Sequence, residues 1–92
     1  MDAEVRRTLR IVNKLGLHAR AAAKLIELAS GFESRISICS NGREANAKSI
    51  MRVMMLAASK GASVEVVAQG ADAAEAVDAI ERLVAERFDE PE

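Results

Sequence analysis

The sequence predicts an α+β domain: a four-stranded sheet, antiparallel or mixed, with three helices packed on one of its faces. Three observations carry this. Three short segments alternate apolar and polar residues, a fourth strand is implied by a hairpin signal, three other segments carry an apolar stripe at helical spacing, and they follow one another as βαββαβα. An Asn41-Gly42 pair, the strongest two-residue hairpin signal, makes the second and third strands antiparallel neighbours. The chain of 92 residues is one domain, 1–92, since a typical domain takes about 100–150 residues. Each helix has a single main apolar stripe, so one sheet face stays partly solvated, as an antiparallel sheet allows. Periodicity by itself does not separate this arrangement from a ferredoxin-like domain.

The elements follow in order. Val5 to Val12 alternates, with Val5, Arg7, Leu9 and Ile11 on one side, and reads as a strand. Asn13-Lys14-Leu15-Gly16 breaks it. His18 to about Ser30 favours helix, with Ala22, Leu25, Ile26 and Ala29 as its stripe, and Gly31 is placed to stop it. Ser34 to Ser40 is a second strand with Ile36 and Ile38 inward, and a short third follows Asn41-Gly42 near Arg43 to Ala45. Lys48 to Ala58 reads as a helix with Ser49 as N-cap. Lys60-Gly61 ends it, and Ser63 to Gln69 is the fourth strand. Asp72 to Phe88 is the clearest helix. Asp72 with Glu75 forms a capping-box-like start, and Ala76, Val77, Ile80, Leu83 and Val84 form the buried stripe. The acidic Asp89-Glu90-Pro91-Glu92 is expected to fray.

Composition removes several function classes. Lys plus Arg is 13 against 14 Asp plus Glu, a net charge of −1, which argues against nucleic-acid binding through bulk positive charge. Two Phe are the whole aromatic complement, too few for platforms that stack bases. A single Cys39 excludes an intramolecular disulfide framework and a multi-thiolate metal site. It reads as an ordinary strand residue. One histidine, His18, excludes a site of several His ligands. No apolar run of about 20 residues spans a bilayer. Met1-Asp2-Ala3-Glu4 lacks the apolar region of a signal peptide. The expectation is a cytoplasmic monomer with no cofactor, no metal and no membrane insertion.

The chemistry concentrates in Asn13 to Leu25, where a Gly-containing loop leads into a helix with His18 at its mouth and Arg20 two residues on. A helix's first turn offers unpaired N–H groups and the positive end of its dipole, an anion site. His18 supplies a nucleophilic nitrogen near neutral pH, and Arg20 can hold phosphate oxygens by charge-assisted hydrogen bonds. The set suits transient phosphorylation of an imidazole. The plainer reading is a histidine that caps or packs at a helix start.

Two motifs decide between these readings. Leu15-Gly16-Leu17-His18-Ala19-Arg20 and Asn46-Ala47-Lys48-Ser49-Ile50-Met51 resemble the active-site and regulatory-serine signatures of the HPr family, the phosphocarriers of bacterial phosphotransferase systems. Lys60-Gly61 and Gly70 also fall where that family has them, so the resemblance covers nearly the whole chain. It implies the HPr-like open-faced sandwich. It implies that His18 accepts a phosphoryl group from phosphorylated enzyme I, charged by phosphoenolpyruvate, and passes it to an EIIA-type acceptor. The phosphate would sit on Nδ1, facing the first helix, with Arg20 in contact with it. The domain would be a relay, not an enzyme with its own turnover, and positioning and electrostatics are nearly all that phosphoryl transfer asks of it. The family's usual Pro after the arginine is here Ala21. That exchange removes a pre-set φ and adds an N–H.

The resemblance also makes Ser49 a target of an ATP-dependent HPr kinase/phosphorylase in some bacteria, a role compatible with an N-cap. Leu17, Ala19, Ala23, Ile50, Met51 and Met54 would form the partner-docking surface, for which flexible Met side chains are suited. Against the carrier stands a regulatory binding module of the same fold, read through the state of Ser49; retention of both His18 and Arg20 disfavours it. An acyl carrier fails on the predicted strands and on Lys48 before Ser49, and a heavy-metal-binding domain fails for want of a Cys-x-x-Cys loop. Sugar and nitrogen branches of the phosphotransferase system both stay open. The Met-rich Ile50 to Leu56 segment, Gly31-Phe32 and Phe88-Asp89-Glu90 resemble nitrogen-branch proteins, and Lys48-Ser49-Ile50-Met51 resembles serine-regulated HPr.

Overall fold

A computed structural model describes residues 3–92. Met1 and Asp2, part of the opening that lacks a signal peptide's apolar region, lie outside the described residues. The elements are β1 (Glu4–Arg10), α1 (Ala19–Ser30), β2 (Arg35–Ser40), β3 (Arg43–Asn46), α2 (Ile50–Met54), β4 (Ser63–Gln69) and α3 (Ala73–Ala85). A single 3₁₀ turn, Arg87–Asp89, follows α3. The strands form one sheet in the order β1-β4-β2-β3, every pairing antiparallel. The α+β sandwich expected from the sequence is therefore the fold observed.

Register explains the core. Ala68 lies opposite Val5 and Ile36, Val66 opposite Arg7 and Ile38, and Val64 opposite Leu9. The inward residues Ile36, Ile38, Val64, Val66 and Ala68 pack under Ala22, Leu25 and Ala29 of α1, Val53 of α2, and Ala76, Val77, Ile80 and Val84 of α3. Thr8, Glu65, Cys39 and Glu44 line up across the opposite face, the solvated side that alternation requires. Burial pushes the Cys39 thiol up, helped by Glu44 and Glu65, so it is a poor nucleophile.

Several boundaries differ from the sequence reading, each for a local reason. α1 does end at Gly31, but that residue is right-handed at φ −78, and the exit is a turn in which its N–H donates to the carbonyl of Leu28. α2 is one turn and a half rather than Lys48 to Ala58. Asn41 Nδ2 and Arg43 Nη1 donate to the carbonyls of Leu56 and Met55 at 3.0 and 3.1 Å, and Ala57 turns left-handed at φ +53. Ala57 is then exposed and Ala58 buried. Ser49 occupies the N-cap position without a side-chain cap bond; Asn46 Oδ1, accepting from Lys48 N–H at 2.8 Å, organises the turn instead.

Asp72 does not act as a capping box either. Its carboxylate accepts from the N–H groups of Glu33 and Ser34 and from the Ser34 hydroxyl, tying the start of α3 to the entry of β2. These bonds, that of the Ser34 hydroxyl foremost, hold its carboxyl below the usual range. α3 ends at Ala85 rather than Phe88. Arg87, Phe88 and Asp89 all take positive φ, at 57, 53 and 62°, and reverse the chain.

The fraying expected of residues 89–92 is overturned. Phe88 is fully buried, Lys24 Nζ donates to the Phe88 carbonyl at 2.7 Å, and Lys14 N–H donates to the Glu92 carbonyl at 2.8 Å. The segment folds back along α1 to the loop that precedes it.

Candidate functional site

The site is built on the loop between β1 and α1. Asn13 is completely buried there, and its Nδ2 donates to the Gly16 carbonyl at 2.8 Å. Gly16 takes φ +66, and a Cβ on it would lie 2.5 Å from the Ala58 carbonyl oxygen. Only glycine gives both the conformation and the close approach. That approach lets Leu17 N–H donate to the Ala58 carbonyl at 2.9 Å, fixing the loop to the turn after α2. Leu17 is itself buried, 6% exposed, so its side chain belongs to the core and not to the docking surface expected for it.

His18 follows as the N-cap of α1, extended at φ −76 and ψ 179, and its carbonyl accepts the first helical bond from Ala22 N–H at 2.8 Å. The N–H groups of Ala19, Arg20 and Ala21 precede that bond and have no partner within the helix. No acidic side chain occupies this first turn. The positive end of the helix dipole therefore stands open beside the imidazole. Ala21, in place of the proline usual in the resembling family, is fully buried and brings its N–H to this set.

Around this mouth lies an open depression lined by Lys14, Leu15, His18, Ala19, Arg20, Glu90, Pro91 and Glu92. Arg20 is exposed on its rim. His18 and Arg20, two of the residues singled out in the sequence, thus share one site with the acidic segment that sequence patterning left as a frayed end. Glu90 Oε2 contacts His18 Nε2, and Asn13 Nδ2 donates to Glu90 Oε1 at 2.9 Å. Burial works against the charge on Glu90, but the bonds from Asn13 and His18 outweigh it, and the carboxyl sits below the usual range. The one sequence signal for Glu90 was its placement two residues past Phe88, a large apolar residue able to anchor the return.

Ala19 and Ala23 are exposed on α1, and α2, packed against α1, exposes Ile50, Met51 and Met54. Met51 is 68% exposed, with Ile50 and Met54 exposed on the same short helix, and clustered exposed apolar side chains mark contact surfaces. Ser49 is half-buried at the start of α2.

A family model described as the PTS HPr component phosphorylation site matches residues 5–86. Among curated relatives, the phosphocarrier protein HPr of Cupriavidus necator is 52% identical over 88 residues, 96% of this chain and 99% of that protein. The phosphocarrier protein NPr of Escherichia coli is 42% identical over 87 residues, 94% and 97% of the two chains. Among solved structures, HPr-C-His from Thermoanaerobacter tengcongensis superposes with a TM-score of 0.91 at 41% identity, covering 96% of this chain and 99% of that one.

Proposed function

Because the chain belongs to the HPr family, the phosphocarriers of the phosphotransferase system, we propose that His18 is the residue that carries the phosphoryl group. The single observation behind this is the placement of His18 as N-cap of α1, at a first turn whose three N–H groups have no helical partner. The phosphoryl group comes from phosphorylated enzyme I and goes to an EIIA-type protein, in the cytoplasm and with no cofactor. Nδ1 attacks phosphorus, and the helix start and Arg20 neutralise charge on the phosphoryl oxygens. Exposure of Arg20 lets it swing onto the phosphate when one arrives. Ala19, Ala23, Ile50, Met51 and Met54 form the surface on which the partners sit. Ser49, half-buried beside that surface, is the position at which an HPr kinase/phosphorylase would add negative charge and weaken docking.

The test is intact-protein mass after incubation with enzyme I and phosphoenolpyruvate, before and after mild acid. One acid-labile phosphate is expected, and none in His18→Ala. Undiminished labelling of His18→Ala would remove His18 from its role.

A further inference from the structure

Resting on His18 as the phosphoryl acceptor, we propose that Glu90 is a positioning residue which holds the imidazole in the tautomer with the proton on Nε2 and the lone pair on Nδ1. Three independent features place its carboxylate. Glu90 Oε2 meets His18 Nε2, the ring nitrogen away from the proposed attack. Buried Asn13 clamps the other oxygen, Oε1, while also donating to the Gly16 carbonyl, so the same side chain sets the loop and the carboxylate together. The backbone leading to Glu90 is fixed by the left-handed residues Arg87 to Asp89, by the fully buried Phe88 and by the bond from Lys24 to the Phe88 carbonyl. Three consecutive non-glycine residues at positive φ are costly, about 1–2 kcal/mol each, and persist where surrounding contacts over-determine them.

The chemistry follows from the inventory of donors. An ionised carboxylate only accepts hydrogen bonds, so the nitrogen facing it carries the proton. Glu90 is ionised at neutral pH, its carboxyl being held below the usual range. Nδ1 is then the unprotonated, nucleophilic nitrogen. When its lone pair forms the bond to phosphorus, the donor's bond to phosphorus breaks and that electron pair stays with the donor. The proton on Nε2 does not move. The ring takes up positive charge, and the Glu90 carboxylate faces it. With side-chain exposures of 28% for His18 and 11% for Glu90, the pair is shielded enough for this attraction to count.

The experiment pairs nitrogen-15 spectroscopy of the imidazole with the rate of phosphoryl transfer from phosphorylated enzyme I, on the full chain. The variants are Glu90→Ala and Glu90→Gln, with Glu86→Gln as the control that removes an exposed carboxylate nearby. In the unaltered protein, neutral His18 should show a protonated Nε2 and an unprotonated Nδ1. Glu90→Ala should mix the two tautomers and slow transfer about tenfold, the low end of the loss seen when the partner that orients a metal-ligating histidine is removed. Glu90→Gln, which keeps an accepting oxygen, should retain the tautomer and lose rate through the missing charge. The single acid-labile phosphate should remain on His18 in both. An unchanged tautomer pattern in Glu90→Ala, or a rate within twofold of the original, overturns the proposal and leaves His18 as carrier. Labelling of His18→Ala instead overturns the carrier assignment itself.

Discussion

Gly16 shows how little room the site leaves at single positions. Its φ of +66 disfavours any L side chain, and a Cβ would meet Ala58 O at 2.5 Å and Ser59 Cα at 2.8 Å, both backbone atoms that cannot rotate away. Gly16→Ala is expected to cost at least about 1–3 kcal/mol, read as a lower urea midpoint. The displaced loop would also weaken the Leu17–Ala58 bond that sets His18, so phosphorylation by enzyme I should slow with it. Arg20 is the opposite case. It is exposed on the site's rim, and nothing in its packing constrains it. Its type and spacing were legible in the sequence because a helix start with a nearby guanidinium is a local pattern. Local spacing does not say which way a loop side chain turns, and Leu17, expected on the docking surface, turns into the core.

At the scale of elements, caps were the weakest part of the sequence reading. Ser and Asp at helix starts are good cap formers, yet neither Ser49 nor Asp72 makes a cap bond. Asp72 instead joins α3 to β2, across 38 residues of sequence. Its carboxyl has a lower pKa folded than unfolded. The stability it contributes is therefore present above the ordinary carboxylate range and lost as pH falls through the folded-state value. Asp72→Asn should lower the urea midpoint at neutral pH, and the gap from the original protein should close as the solution is acidified below about pH 4. A gap that stays constant with pH would mean that packing, not ionisation, makes the tie. α2 is short for a related reason: side chains of Asn41 and Arg43, from the β2–β3 hairpin, take the carbonyls of Leu56 and Met55 just past its end.

For the molecule as a whole, Phe88 links stability to chemistry. It is the largest fully buried side chain and closes the end of the core beneath α1 and α3. Truncation of a buried Phe to Ala typically costs about 3–5 kcal/mol, a large share of the ~5–15 kcal/mol that holds a domain folded. Phe88→Ala should therefore unfold at much lower urea. In the fraction still folded it should also free residues 89–92, so that proteases cleave them faster and the His18 tautomer pattern resembles that of Glu90→Ala. Unchanged protease sensitivity in folded Phe88→Ala would show that Lys24 and Lys14 hold the segment without it.

Legible from the residues were the element order, the inward faces of β1, β2 and β4, the hairpin at Asn41-Gly42 and the placement of His18 and Arg20 at a helix start. These are consequences of side-chain type at periods of two or 3.6 and of turn chemistry, all within a few residues. Tertiary structure alone decided the sheet order β1-β4-β2-β3, the depth of Leu17, the use of Asp72 as a tie and the return of Glu90 to His18, 72 residues away. Each depends on a contact between distant segments, where the gain comes from burying a shared surface or satisfying a partner's polar atom. No local pattern records which distant partner that will be.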